Sequence, residues 1–401
     1  MDQKLHEYIL NNWESTIRNN KDVLPKPYTV PCAKEVFINF YYWDTYFINL
    51  GLFEAGLVEQ VKNNLDNMVY LLDKYGYIPN ADNLLYRSQP PLFTRCVYDL
   101  YKFTNDKEII HRYKDAILKE FSFWKEKRMT PIGLNAYSSD EPREGLLKNR
   151  YWLSKRIGCN ETEMAVDEEI FGRDLLAIAE SGMDFTIRFK EGKNRFVAHE
   201  YVHLDLNCIL YDAEMKASEM FNEIDEKELA KSLQEQAANR KELINRYMLD
   251  KETGIYYDYN FVRNHLSYIK TGVCLYPYFS GISNDRVAAK ELYKAFMLPY
   301  GLSVGVAIKE EDYLQWDYPH MWPANTCLAY FGYKRIGLLE EANVIKEKYM
   351  EALEENFKAT GSLWEKYDAN TGKVSITNEY ETPEMMGWVV GVYELFYNGK
   401  K

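Results

Sequence analysis

The chain has 401 residues, of which 46% are hydrophobic and 27% charged, with a formal net charge of −12. That is ample apolar material for a large core. An acidic surface repels phosphate backbones and anionic lipid, which argues against nucleic acid and membrane as partners and favours a small neutral ligand.

In chain order, apolar residues recurring at helical spacing predict helices over 5–18, 57–72, 109–125, 206–221, 228–249, 286–297 and 340–357. The second of these is representative. Leu57, Val58, Val61, Leu65, Met68, Val69 and Leu72 form one stripe, and Gly76 followed by Pro79 ends it. Shorter helices are expected over 91–103, 326–333 and 388–397. Strand signals are few, the best being 254–259 and 373–376. The stretch 131–174 is the most polar and irregular, and it reads as a long loop or lid forming a wall of the site. No linker rich in Pro, Gly or Ser divides the chain, so one domain over 1–401 is the simplest reading. Long helices separated by loops that carry aromatic and polar residues point to an all-α toroid of helical hairpins.

Six cysteines (Cys32, Cys96, Cys159, Cys208, Cys274, Cys327) are scattered without a CxxC pair, as expected of reduced, buried thiols. The first residues lack a basic start followed by an apolar run, and no stretch approaches the roughly 18 apolar residues of a membrane helix. A cytoplasmic location is therefore expected. His199 and His203 are four apart, yet no HExxH motif is present, so the pair reads as structural and no metal is expected. There is no GxGxxG or Walker loop, hence no nucleotide cofactor, and no other cofactor is indicated. Monomer and homo-oligomer are equally compatible with the sequence.

Aromatic residues make up 15% of the chain. Three segments concentrate them beside carboxylate, guanidinium and amide groups: Tyr41 to Phe47 (with Trp43 and Asp44), Arg87 to Pro91 (with Gln89), and Gln315-Trp316-Asp317. Flat rings cover the C–H faces of a pyranose, and fixed polar groups take paired hydrogen bonds from neighbouring hydroxyls. Any one segment alone is better explained as a buried aromatic cluster with satisfied polar neighbours. Together they indicate a carbohydrate site. Two acids stand out. Asp184 follows a Ser181-Gly182 turn, where Gly182 lets the backbone approach a ligand. The flanking Met183 and Phe185 should disfavour its ionised form, as a general acid requires. Glu365 stands between Trp364 and Lys366, whose cation favours the ionised form that a general base requires.

These segments resemble the trehalases of glycoside hydrolase family 37. The matching motifs are Tyr42 to Phe47 with Gly51-Leu52, then Gly76 to Asn80 and Arg87 to Pro91. Glu180 to Phe185 is similar to the family's ESGWDF, Leu204 to Asn207 to its VDLN, and Gln315 to Pro319 with Trp322 to its QWDxPxGW. Glu365 to Asp368 reproduces EKYD, and Glu379-Tyr380 with Gly387-Trp388 matches the late EY…GW segment. The resemblance implies an (α/α)6 toroid, an inverting mechanism, and no metal or organic cofactor. It puts Asp184 at the general acid and Glu365 at the general base. Trp43, Asp44, Asn80, Arg87, Gln315 and Glu379 fall at positions that hold glucose hydroxyls or wall the subsite, and Phe37 at a ring-stacking phenylalanine. Gln89, Gly182, Trp316, Asp317 and Trp322 lie inside the matching motifs and join the candidate site.

The departures bear on the subsites. Val36 stands where the family's PGGRF segment has its arginine, and valine cannot replace a planar fork. Glu141 to Glu144 is the nearest counterpart of the family's RPES, which makes Arg143 a candidate ligand residue. Met183 replaces a tryptophan beside the acid. The expected activity is hydrolysis of a small α-linked glucoside, trehalose first. A glucosylglycerate or mannosylglycerate hydrolase is the nearer alternative, and a sugar-binding protein without turnover is the one of another class. A sugar epimerase on a similar toroid would want paired histidines, which these motifs do not supply.

Overall fold

The computed structural model describes residues 2–32, 36–157, 167–192, 195–309, 313–377, 382–384 and 387–399, and among them lie fourteen α-helices and nine strands of two residues each. The first half holds α1 (Gln3–Asn12), α2 (Tyr42–Glu54), α3 (Val58–Tyr75), α4 (Phe93–Thr104), α5 (Glu108–Lys127), α6 (Arg143–Arg156) and α7 (Glu168–Glu180). The second holds α8 (Leu204–Glu223), α9 (Lys227–Tyr247), α10 (Tyr276–Ser280), α11 (Arg286–Phe296), α12 (Pro323–Arg335), α13 (Leu339–Thr360) and α14 (Gly387–Asn398).

Six helices close a ring: α2 packs on α4, α4 on α8, α8 on α10, α10 on α12, α12 on α14, and α14 returns to α2. A second set lies outside it, α3 against α2, α5 against α4, α9 against α8 and α13 against α12. The expected all-α toroid is thus what the chain forms. Composition explains which helix goes where. Every residue of α2 from Tyr42 to Phe53 is buried, so this helix has no polar face to turn to water. In α9 only Ala230, Leu233, Ala237, Arg240 and Ile244 are buried, a single stripe that fits an outer layer. The closest approach in the ring needs glycine. A Cβ on Gly391 of α14 would meet the Phe47 carbonyl oxygen of α2 at 2.0 Å.

Several expectations change. The stretch 131–174 is not an irregular loop, because α6 and the start of α7 occupy much of it. The buried face of α6 is Leu146, Arg150, Leu153 and Ser154, so half of it is polar and the apolar period is faint. Neither expected strand forms as such. Around 254–259 only Tyr259 joins a ladder, and Val374 makes one isolated bridge to Tyr367. The helix expected over 5–18 stops at Asn12. A 3-10 turn then leads to Ile17–Arg18, which pairs antiparallel with Tyr28–Thr29. His199 and His203 do not share a helix face. His199 bonds Asp174 through Nδ1 at 2.6 Å, and His203 precedes α8 and accepts from the Tyr137 N–H at 3.1 Å. Cys32, Cys96, Cys208, Cys274 and Cys327 are buried and form no disulfide among the described residues, and Cys159 lies outside them. Among the described residues no helix is long and apolar enough to cross a membrane.

Candidate active site

The site grows from the N-terminus of α2. No side chain caps this helix. Instead the Tyr42 N–H donates to the Asn80 carbonyl at 3.0 Å and the Trp43 N–H to Gln89 Oε1 at 3.1 Å. Satisfying these two helix-end donors brings Trp43 and Asp44 beside the segment that carries Asn80, Arg87 and Gln89. That segment folds back on itself, with the Asn80 N–H donating to the Arg87 carbonyl at 2.8 Å and Arg87 Nη2 to Asn80 Oδ1 at 3.3 Å. Glu180, at the end of α7 and fully buried, fixes it to the next element. Its carboxylate accepts from the Ser88 N–H at 2.9 Å, the Ser138 N–H at 2.7 Å, and Arg128 Nε and Nη2 at 2.9 and 3.0 Å.

Beyond Glu180 the chain crosses the face of Trp43. Gly182 has φ +73°, and a Cβ there would lie 2.7 Å from the Trp43 ring, so both conformation and space require glycine. The turn delivers Asp184 to the cavity. The apolar flank expected around its carboxylate is not what faces it: Met183 and Phe185 are buried in the core, and Arg156, the last residue of α6, reaches across instead. Arg156 donates through Nη1 to Asp184 Oδ2 at 2.5 Å and through Nη2 to the Asp184 carbonyl at 2.7 Å. Gln315 Nε2 donates to the same carbonyl at 2.5 Å.

The opposite wall comes from the end of the chain. Glu365 and Lys366 are both buried, with Lys366 Nζ donating to Glu365 Oε2 at 2.8 Å and lying 5.0 Å from the centre of the Trp322 ring. The neighbouring pair Tyr367–Asp368 ladders with His320–Met321, which carries this wall to the segment of Gln315 and Trp322. Trp316 and Trp322 stack at 4.0 Å and 6°, and Trp388 lies 5.6–6.2 Å from Trp43, Trp316 and Trp322. The four indoles form one aromatic floor.

Together these residues enclose a cavity of about 420 Å³. Phe37, Trp43, Asp44, Asn80, Arg87, Gln89, Gly182, Asp184, Gln315, Trp316, Trp322 and Glu365 line it, so twelve of the expected residues converge. Three do not. Asp317 is buried behind the wall, where it accepts from Thr186 Oγ1 at 2.7 Å, the Ile187 N–H at 3.1 Å and the Leu314 N–H at 2.8 Å. It pins two loops, and burial pushes its carboxyl up to about 7. Arg143 opens α6, is exposed and lies 3.5 Å from Glu169, so it is corrected to a surface residue. Glu379 lies outside the described residues. Sequence reasoning missed Arg156 as a lining residue, along with Tyr41, Leu84 and Trp388. Arg156 is 28 residues from Asp184 on a helix with little apolar period, and no local pattern marks it.

Two features point to a polar ligand. Arg87 Nε and Nη1 are buried with no hydrogen-bond partner among the described residues, as is Trp388 Nε1. Unmet buried donors aimed at a cavity are what a hydroxylated ligand satisfies. The second feature is Asp44, whose carboxyl burial pushes from 3.8 up to about 8, with Glu365 and Asp184 adding like charge. A folded-state value above the unfolded one means that ionising Asp44 costs stability. The cost is absent below about pH 4, grows as pH rises to about 8, and is constant above that. Asp44→Asn is therefore expected to raise Tm relative to the parent protein by more at pH 8 than at pH 4. Equal shifts at both pH values in thermal melts would contradict this protonation state.

Comparison with known proteins bears on the family and the fold. The trehalase family model matches residues 4–398. A curated periplasmic trehalase of Xanthomonas oryzae pv. oryzae is 30% identical over 426 residues, spanning 99% of this chain and 73% of that protein. Among solved structures, the neutral trehalase of Saccharomyces cerevisiae superposes with a TM-score of 0.78 at 22% identity, covering 98% of this chain and 80% of that one. A mannosylglycerate hydrolase of glycoside hydrolase family 63 from Thermus thermophilus, solved with Tris and D-glycerate, gives 0.68 at 18% identity, covering 98% and 99%. The first relative's name places it in the periplasm, which overturns the cytoplasmic expectation for this chain. That expectation rested on scattered cysteines and on first residues without a basic start followed by an apolar run. Thiols as deeply buried as Cys96, Cys208 and Cys327 are kept apart by packing in any compartment and report the core, not its surroundings.

Proposed function

This chain belongs to the trehalase family and is a glycoside hydrolase; within that family we propose that it splits α,α-trehalose with inversion at the attacked anomeric carbon. Asp184 gives its proton to the bridging oxygen as the C–O bond breaks. Glu365 takes a proton from a water whose oxygen bonds to the same carbon from the opposite face. One glucose leaves with the bridging oxygen and keeps its α configuration, and the other is released as β-glucose.

The observation that carries this reading is that Asp184 and Glu365, 181 positions apart in sequence, line one cavity of about 420 Å³. Each has its own cation, Arg156 on Asp184 and Lys366 on Glu365. Arg156 also grips the Asp184 carbonyl, which holds this residue in place whatever proton its carboxyl carries. Trp43, Trp316, Trp322 and Trp388 supply ring faces for the pyranose, and Asn80, Arg87, Gln89 and Gln315 supply partners for its hydroxyls. The likeness to a mannosylglycerate hydrolase is one of the helical toroid alone.

Proton NMR of a fresh reaction with trehalose tests this directly. Equal α- and β-glucose signals are expected before mutarotation. Early product that is α-glucose alone would indicate retention, and no cleavage at all would remove trehalose as substrate.

A further inference from the structure

The cavity changes character from its floor to its mouth. Its buried lining carries Asp44, Asn80, Arg87, Gln89, Gln315 and Glu365, groups able to exchange hydrogen bonds with the hydroxyls of one pyranose. Among the described residues, its part-exposed lining is Val36, Phe37, Tyr41 and Leu84, with Asp184 and Arg156 beside them. Val36 is 50% exposed, and Phe37 meets Tyr41 edge-on at 5.9 Å between ring centres. The two carboxyls divide in the same way. The Glu365 side chain is 4% exposed and belongs to the floor, while that of Asp184 is 20% exposed and belongs to the mouth.

In the hydrolase reading above, on which this rests, Asp184 protonates the leaving oxygen. The leaving group therefore occupies the mouth, and the attacked glucose the floor. A second glucose can lay its C–H face on Phe37 or Tyr41, but hydroxyls turned toward Val36 and Leu84 find no partner on those side chains. We propose that this outer subsite favours an apolar leaving group, so that the enzyme also hydrolyses α-glucosides of alkyl and aryl alcohols. The balance is that of ordinary hydrolysis. The glucosyl C–O bond breaks, the alcohol oxygen takes the proton of Asp184, water supplies the new hydroxyl, and Glu365 receives its proton.

The test compares benzyl and methyl α-D-glucopyranoside, whose alcohols are similarly poor leaving groups, with trehalose alongside. The benzyl compound is expected to show a kcat/KM about tenfold above the methyl one, roughly the gain from burying ~50 Å² of apolar surface. In the double variant Val36→Asn, Leu84→Asn that ratio is expected to fall to about threefold or less. Val36 is exposed and Leu84 part-exposed, so both changes are compatible with folding, and the comparison on the parent enzyme stands without the variant. Trehalose turnover with equal kcat/KM for the two glucosides would overturn this inference alone, as would a ratio unchanged in the double variant. Failure to hydrolyse any of the three would remove the hydrolase reading of the site and this inference with it.

Discussion

Asp184→Asn and Glu365→Gln are each expected to lower kcat on trehalose by about 10²–10⁴-fold, the range that a positioned acid or base contributes. Both replacements keep the shape of the side chain and remove its ability to move a proton. They should differ in stability. Asp184 sits at the part-exposed mouth and keeps a bond from Arg156 to its backbone carbonyl whichever side chain is present. Glu365 is buried and accepts from the fully buried ammonium of Lys366, so making it neutral weakens a charge pair inside the wall. Glucose release under saturating trehalose gives kcat, and thermal melts give the cost to folding. A variant that melts like the parent and turns over near its rate would remove the role proposed for that residue.

Arg188→Met is expected to cost about 3–5 kcal/mol of folding stability, the penalty for leaving buried charges without their partner. Arg188 is only 1% exposed, and its Nη2 lies 2.5 Å from both Asp205 Oδ1 and Asp258 Oδ1. Its guanidinium joins the turn after Asp184 to the start of α8 and to the segment leading into the strand Tyr259–Asn260. Asp205 also accepts from the Tyr137 hydroxyl at 3.0 Å and Asp258 from the Leu204 N–H at 2.9 Å, so the cluster organises four separate stretches of chain. Removing only the cation strands both carboxylates. Replacing all three residues by apolar ones of similar volume should recover much of the loss, since no buried charge then remains. Urea unfolding of the single and triple variants measures both effects. A single variant that loses less than about 1 kcal/mol would place this cluster outside the folding core.

Legibility in the sequence followed the kind of signal each element carries. Outer helices such as α3, α9 and α13 have one apolar stripe and were readable to within a few residues. The inner helix α2 offered no period at all because every side of it is buried from Tyr42 to Phe53, and it was met only as an aromatic motif. Arg150 and Ser154 inside the buried face of α6 hid that helix in what read as a loop.

For the site, local residue types marked nine lining residues, because a sugar demands rings, carboxylates and amides that cluster over a few positions, and the family resemblance added Phe37, Asn80 and Trp322. Which polar residue touches the ligand and which supports the wall was not written there. Asp317 and Asp44 both sit beside a tryptophan in sequence. One is consumed by Thr186, Ile187 and Leu314, and the other faces the cavity. The cation on Asp184 came from the end of a helix 28 residues earlier, and Trp388 reached the aromatic floor from the far terminus. Local chemistry along the chain established the all-helical class and the kind of ligand. Partnership between distant groups arose only when ring closure brought α2, α6 and the C-terminal wall around one cavity, since contacts across a fold depend on packing that no short segment encodes.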